Sequence, residues 1–233
     1  MNEDDDQRGL AHFVEHMAFN GSKNFARTEM VEYLTSIGMG FHNGLNGGTT
    51  YDYTVYQFKL PTDNEATLRK GISILSDIAW QLSFDPAEIE RERGIIQEEW
   101  RMGQEAQRRV QDKVNDVRFA GSRYAERNPI GTIENIRTFK HPSLTRFYKD
   151  WYRPDLQHVI IIGDYPVETL KAMVEEYFGV IPARTNPRAK ETYNVPDNPE
   201  PRAILVLDKE LPYSMVQATW KKVATPNVNL GSY

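Results

Sequence analysis

His12-Phe13-Val14-Glu15-His16 sets two imidazoles four residues apart, with a carboxylate immediately before the second. On an α-helix, residues i and i+4 lie on one face, so both rings can reach a single metal ion. Two neutral imidazole nitrogens are a common partial ligand set for zinc. Glu15 follows His12 by three residues and stays near the same face. A carboxylate left unligated there is what metal-assisted hydrolysis uses to take a proton from water. The spacing H-x-x-E-H inverts the H-E-x-x-H order of other zinc peptidases. Five residues alone are a weak signal. The sequence holds five histidines (His12, His16, His42, His141, His158), and two of them can fall at helical spacing by chance. The context decides.

Working outward, Gly9 to Phe19 is apolar apart from the motif, which predicts a helix buried on most sides. Unpaired polar groups in a core are costly, and a metal would give two buried imidazoles a partner. Asn20-Gly21-Ser22 ends the helix, with a glycine available for a left-handed cap. A catalytic zinc takes three protein ligands and keeps one position for water. Asp85-Pro86 reads as an N-cap followed by proline at the first helical position, and opens a charged helical stretch to about Val117. That stretch offers Glu92, Glu98 and Glu99. Glu92 and Glu99 are two turns apart on one face, yet periodicity does not choose among the three.

The 233 residues suffice for one large domain, or one domain and part of another. Apolar residues at 39% and charged residues at 26% are ordinary for a globular protein. A formal net charge of −5 argues against a general nucleic-acid binder. With no cysteine, disulfides and thiolate metal sites are excluded, so any zinc must rest on His and carboxylates. No apolar run reaches the length of a membrane helix. Met1 is followed by Asn2-Glu3-Asp4-Asp5-Asp6, which is not a signal segment.

Further along, Thr28 opens a helix that ends at Ile37-Gly38. Gly38 to Gly48 is rich in Gly and Asn and reads as turn and loop. Thr49 to Leu60 suits a strand, and Asn64 to Leu82 has helical period. Asn128-Pro129-Ile130-Gly131 reads as a turn and Ser143 to Tyr152 as a helix. Gln157 to Gly163 reads as a buried strand, and Val167 to Phe178 as an amphipathic helix. Residues 182–201 hold five prolines and read as a linker. Ala203 to Leu207 and Met215 to Trp220 read as two strands. Helices and strands without a regular βαβ period suit an α+β class, a mostly antiparallel sheet with helices packed on one face.

Gly9-Leu10-Ala11-His12-Phe13-Val14-Glu15-His16-Met17-Ala18-Phe19-Asn20-Gly21 resembles the zinc-site helix of the pitrilysin/insulinase (M16) metallopeptidases. Glu92-Arg93-Gly94-Ile95-Ile96-Gln97-Glu98-Glu99-Trp100-Arg101 resembles that family's second element. Tyr51 to Gln57, Asn128 to Gly131, Phe147 to Pro154 and Ile160 to Asp164 fit the same pattern in order. The wording Ala-Phe-Asn-Gly and Glu-Glu-Trp-Arg is nearest a bacterial, PqqL-like branch. The resemblance implies that His12, His16 and Glu99 are ligands to one Zn2+ and that Glu15 is the general base. It implies that Glu92 supports a ligand from behind, and leaves Glu98 solvated. It also implies that substrate adds as a strand along Leu45 to Thr49, giving Asn46 and Gly47 a binding role. Where the family usually has Ala and then an aromatic residue, this sequence has Gly47 and Gly48.

The function so implied is zinc-dependent endopeptidase action on peptides or unfolded segments. A second clamshell half or partner subunit would complete it, and no nucleic acid would be involved. The alternatives are a non-catalytic family subunit or binding module, and a purely structural zinc. The intact set of His12, Glu15, His16 and Glu99 weighs against both. The expected organisation is a zinc-bearing domain at 1–181 without its first strands, a linker at 182–201, and the start of a similar domain at 202–233. The resembling branch is exported, which implies a periplasmic or otherwise exported location.

Overall fold

The computed structural model describes residues 1–41 and 43–221. His42 and the end of the expected second domain, residues 222–233, lie outside the described residues. Among the described residues, eight α-helices and three strands follow in the order α1 (Leu10–Met17), α2 (Arg27–Ser36), β1 (Gly40–Phe41), β2 (Gly44–Thr49), β3 (Thr54–Phe58), α3 (Glu65–Trp80), α4 (Pro86–Met102), α5 (Ala106–Arg118), α6 (Ile133–Thr138), α7 (His141–Trp151) and α8 (Val167–Phe178).

The architecture is the expected α+β class. The sheet order is β1-β2-β3. Its main pairing is antiparallel, from Leu45↔Phe58 to Thr49↔Thr54, while β1 adds a parallel contact at Gly44 and Leu45 only. Helix α1 packs on β2 and β3 and also meets α4 and α7. Leu10, Phe13, Val14 and Met17 of α1 are fully buried, together with Ile89 and Ile96 of α4 and Leu144 of α7. On α1 the spacing of three and four residues makes one apolar stripe, and Ile89 and Ile96, two turns apart, share one face of α4. A smaller cluster of Leu68, Ile72 and Met173 joins α3 to α8.

Local chemistry sets several boundaries. Asn64 and Asp85 cap α3 and α4 by accepting from the N–H of Ala66 and Ala87. The helical stretch expected to reach Val117 is instead two helices, broken at residues 103–105 between α4 and α5. The glycine-rich segment expected as a loop contains β2. Its backbone is recruited by the β-branched and aromatic strand β3, so ladder pairing overrides glycine's weak strand propensity. The strand expected over Thr49–Leu60 is correspondingly shorter, with a turn at 50–53 ahead of β3.

Three expected strands do not form. Residues 157–163, 203–207 and 215–220 carry no strand among the described residues. Ile160 is 81% exposed, Ile162 93% and Val216 99%, so the expectation of a buried strand at 157–163 is corrected. An apolar run becomes a strand only when another backbone lies alongside to fill its hydrogen bonds. No described segment does so here. The proline-rich residues 182–201 have no helix or strand, yet they are held to the body. Arg188 pairs with Asp4 at 2.5 Å and lies over the Trp151 ring, and Arg123 lies over Tyr193. Among the described residues no helix is long and apolar enough to cross a membrane.

Candidate metal centre

Helix α1 carries three of the expected site residues, and its first turn is fixed in two ways. Glu3 Oε1 accepts from the N–H groups of Gly9 (3.0 Å) and Ala11 (2.9 Å). These are donors that a helix start leaves unsatisfied, and they lie three residues and one residue ahead of His12. Gly9 and Gly131 have φ of +92° and +76°, and a Cβ on Gly131 would stand 2.5 Å from the Arg8 carbonyl oxygen. The Asn128–Gly131 turn can therefore press against the start of α1 only with glycine at both positions.

One turn later, His16 Nδ1 lies 3.0 Å from Glu92 Oε2. Glu92 is buried, and its other oxygen accepts from Asn20 Nδ2 at 2.9 Å. Ionised carboxylate oxygens only accept, so His16 Nδ1 carries the hydrogen and donates. That leaves Nε2 facing Glu99, whose Oε2 is 3.4 Å away. His12 Nε2 lies 3.6 Å from Glu99 Oε1. The two rings stand edge to face with centroids 4.7 Å apart. Ligand atoms from His12, His16 and Glu99 all fall within 4.8 Å of one another.

The donor set fits zinc. Zinc bonds of about 2 Å put neighbouring ligands about 3.3 Å apart, close to the nitrogen–oxygen separations above. Without metal, burial opposes charge on His16, but its hydrogen bonds to Glu92 and Glu99 prevail and push its pKa up to about 9. Burial, and then the neighbouring His16 charge, hold His12 below the ordinary histidine value. The hydrogen bond from His16 draws the Glu99 carboxyl down against its own burial. Metal uptake at these atoms would compete with protons for His16. His12 Nδ1 is buried without a hydrogen-bond partner among the described residues.

Glu15 stands apart from the three. Its Oε2 accepts from Thr49 Oγ1 at 2.5 Å, and its Oε1 lies against Gly47, where a Cβ would be 2.8 Å away. Gly47 is thus a strand glycine at a close approach. Asn46 is exposed. Because β1 pairs only with Gly44 and Leu45, residues 46–49 have β3 on one side and no partner on the other among the described residues. Glu98 points away to Arg101, 2.8 Å distant. An open groove of about 500 Å³ runs past Glu99, lined also by Ile95 and Met102. A cleft of similar size near Trp80, Phe84 and Tyr148 has no imidazole or carboxylate in its lining.

The structure brings together His12, Glu15, His16, Glu92 and Glu99 and sets Gly47 beside them. Sequence reading passes over Glu3, Asn20 and Thr49. Glu3 lies in a polar acidic run, and Asn20 reads as a helix terminator. Asn20 meets Glu92 across 72 residues of chain, a distance at which spacing carries no signal.

A family model described as Insulinase (Peptidase family M16) matches residues 1–129, more than half of the sequence. The chain belongs to peptidase family M16. A model described as Peptidase M16 inactive domain matches residues 138–227 of this M16 chain. It is 36% identical over 201 residues to the Probable zinc protease PqqL of Haemophilus influenzae, covering 84% of this chain and 21% of that protein. Its fold superposes on the crystal structure of the periplasmic protease PqqL from Escherichia coli with a TM-score of 0.78 and 34% identity, covering 82% of this chain and 21% of that one. Against the first half of the same protease the TM-score is 0.77, and 41% of that half is covered. The chain thus spans about a fifth of the length of these M16 relatives.

Proposed function

We propose that this chain bears the zinc centre of an M16 endopeptidase that hydrolyses peptide bonds. One observation carries the reading. His12 Nε2 and His16 Nε2 converge on the Glu99 carboxylate, with Glu15 beside them and free of that cluster. His12, His16 and Glu99 would hold the ion, and Glu92 would orient the His16 ring. Zinc, when bound, supplies a Lewis acid that polarises a carbonyl and acidifies water to a pKa of about 7. Glu15 is the group that takes a proton from water and passes it to the leaving amine nitrogen as the C–N bond breaks. Hydroxide from that water ends on the carbonyl carbon, so no covalent enzyme intermediate is required. The edge at Asn46 and Gly47, without a partner among the described residues, would align a substrate strand by backbone hydrogen bonds.

The zinc protease names of the relatives support the cofactor and the reaction class. We read residues 1–181 as the zinc-bearing domain, 182–201 as a linker and 202–233 as the beginning of a second domain. A second clamshell half would enclose the substrate, which is a peptide or an unfolded segment. An exported, periplasmic location follows by analogy with the Escherichia coli protease.

The test is zinc content after dialysis against trace zinc, wild type beside His16→Ala, followed by peptide cleavage with Glu15→Gln as control. One zinc per chain that is lost in His16→Ala, with cleavage abolished in Glu15→Gln, supports the reading. A zinc-free wild type would sink it in favour of a non-catalytic subunit.

A further inference from the structure

We propose that Thr49 is the positioning residue for Glu15. The inference rests on the peptidase reading above and assigns the part of the site that aims the base. Alternation along β2 turns residues 45, 47 and 49 toward α1. Leu45 is buried, Gly47 meets Glu15 Oε1, and Thr49 Oγ1 bonds Glu15 Oε2 at 2.5 Å. No other side-chain hydrogen bond to this carboxylate occurs among the described residues.

The hydroxyl is itself held. Thr49 and Thr54 are paired across the hairpin, and their Oγ1 atoms are 3.2 Å apart. Tyr152 reaches Thr54, and its hydroxyl is 2.6 Å from that of Tyr56. The directions follow from the chemistry of the end group. A carboxylate only accepts, so the Thr49 hydrogen is committed to Glu15. Thr54 must then donate to Thr49. Hydroxyls aligned in one direction polarise one another toward the carboxylate. A glutamate has three rotatable bonds between backbone and carboxylate. A base that wanders by about 1 Å loses on the order of 10²-fold in rate.

A merely structural Thr49, filling the hairpin end, would be replaced without loss by valine, which has the same shape. The experiment uses the full-length protein loaded with zinc and an unstructured fluorogenic peptide. Thr49→Val should lower kcat by roughly 10–100-fold with KM and zinc stoichiometry unchanged. Thr49→Ser, which restores the hydroxyl, should recover most of the loss. A readout independent of turnover is a thermal-unfolding cycle on Thr49→Val and Glu15→Ala. Their Tm shifts should fall short of additive, because each change removes the same hydrogen bond. Additive shifts overturn the contact. Thr49→Val with wild-type kcat overturns this inference alone. A wild type that holds zinc but cleaves nothing overturns the peptidase reading, and this inference with it.

Discussion

Two histidines one turn apart have opposite settings in α1. His16 is pulled toward the protonated state by Glu92 and Glu99, while burial and its neighbour's charge lower the pKa of His12. The difference comes from α4, whose successive turns place Glu92 behind His16 and Glu99 in front of both rings. Glu98, one residue from Glu99, is rotated about 100° around the helix and reaches solvent and Arg101. Glu92→Ala should weaken zinc binding about 10–100-fold, because the His16 ring loses the acceptor that fixes it. Competition with a chelator measures this directly, and unchanged affinity would count against the role. Glu15→Gln should leave zinc affinity intact and cut kcat by at least about 10²-fold, read by metal analysis and peptide assay on the same sample. His12, Glu15 and His16 were legible in the sequence because their relation is local, one turn of one helix. The choice of Glu99 over Glu98 was not legible from periodicity, because the period of α4 does not say where α1 lies.

Elements are joined by a few buried or paired carboxylates. Glu3, 3% exposed, closes the start of α1, and Arg123 and Arg127 brace the Glu3 backbone carbonyl in turn. Glu3→Ala should cost about 1–2 kcal/mol, the usual worth of a helix cap, and Glu3→Gln less because an acceptor remains. Urea denaturation of the two variants side by side decides it. Glu90 ties α4 to α7 through His141, and Arg93 grips the same carboxylate. Hydrogen bonds from Arg93 and then His141 hold Glu90 down at about 2, against an ordinary value of 4.5. A carboxyl depressed by folding stabilises above its unfolded pKa, and that stability is lost as pH falls through the folded one. The group is half exposed, so solvent screening limits it to about 1 kcal/mol or less. The stability gap between wild type and Glu90→Gln should therefore be present at pH 7 and close between pH 4.5 and about 2. A gap that stays constant over that interval would refute it. The cap at Asp85 was legible because a cap and its helix are adjacent in sequence. Strand β2 was not, because its glycines signal a turn and only pairing with β3 makes it extended.

On the scale of the whole molecule, the exposed apolar segments are the largest unbalanced feature. Ile160, Ile162, Leu205, Leu207, Val216 and Trp220 all face outward among the described residues. Where such residues gather into a patch, the patch marks a contact. The 233-residue chain on its own should bind an apolar dye and scatter light increasingly with concentration. Replacing Ile160 and Ile162 with threonine should reduce both signals, and no change would show that this surface is not exposed in solution. By itself, the sequence determined the α+β class, the Asp85 cap, and the one-face grouping of the three α1 residues proposed for the site. Each depends on residues within a turn or two of one another, where backbone geometry leaves few options. Only the tertiary structure decided which glutamate meets the imidazoles, that Thr49 reaches Glu15, and which apolar runs stay unpaired. Those outcomes depend on packing between segments far apart in the chain, and a periodic pattern records that a face will be covered but not what covers it.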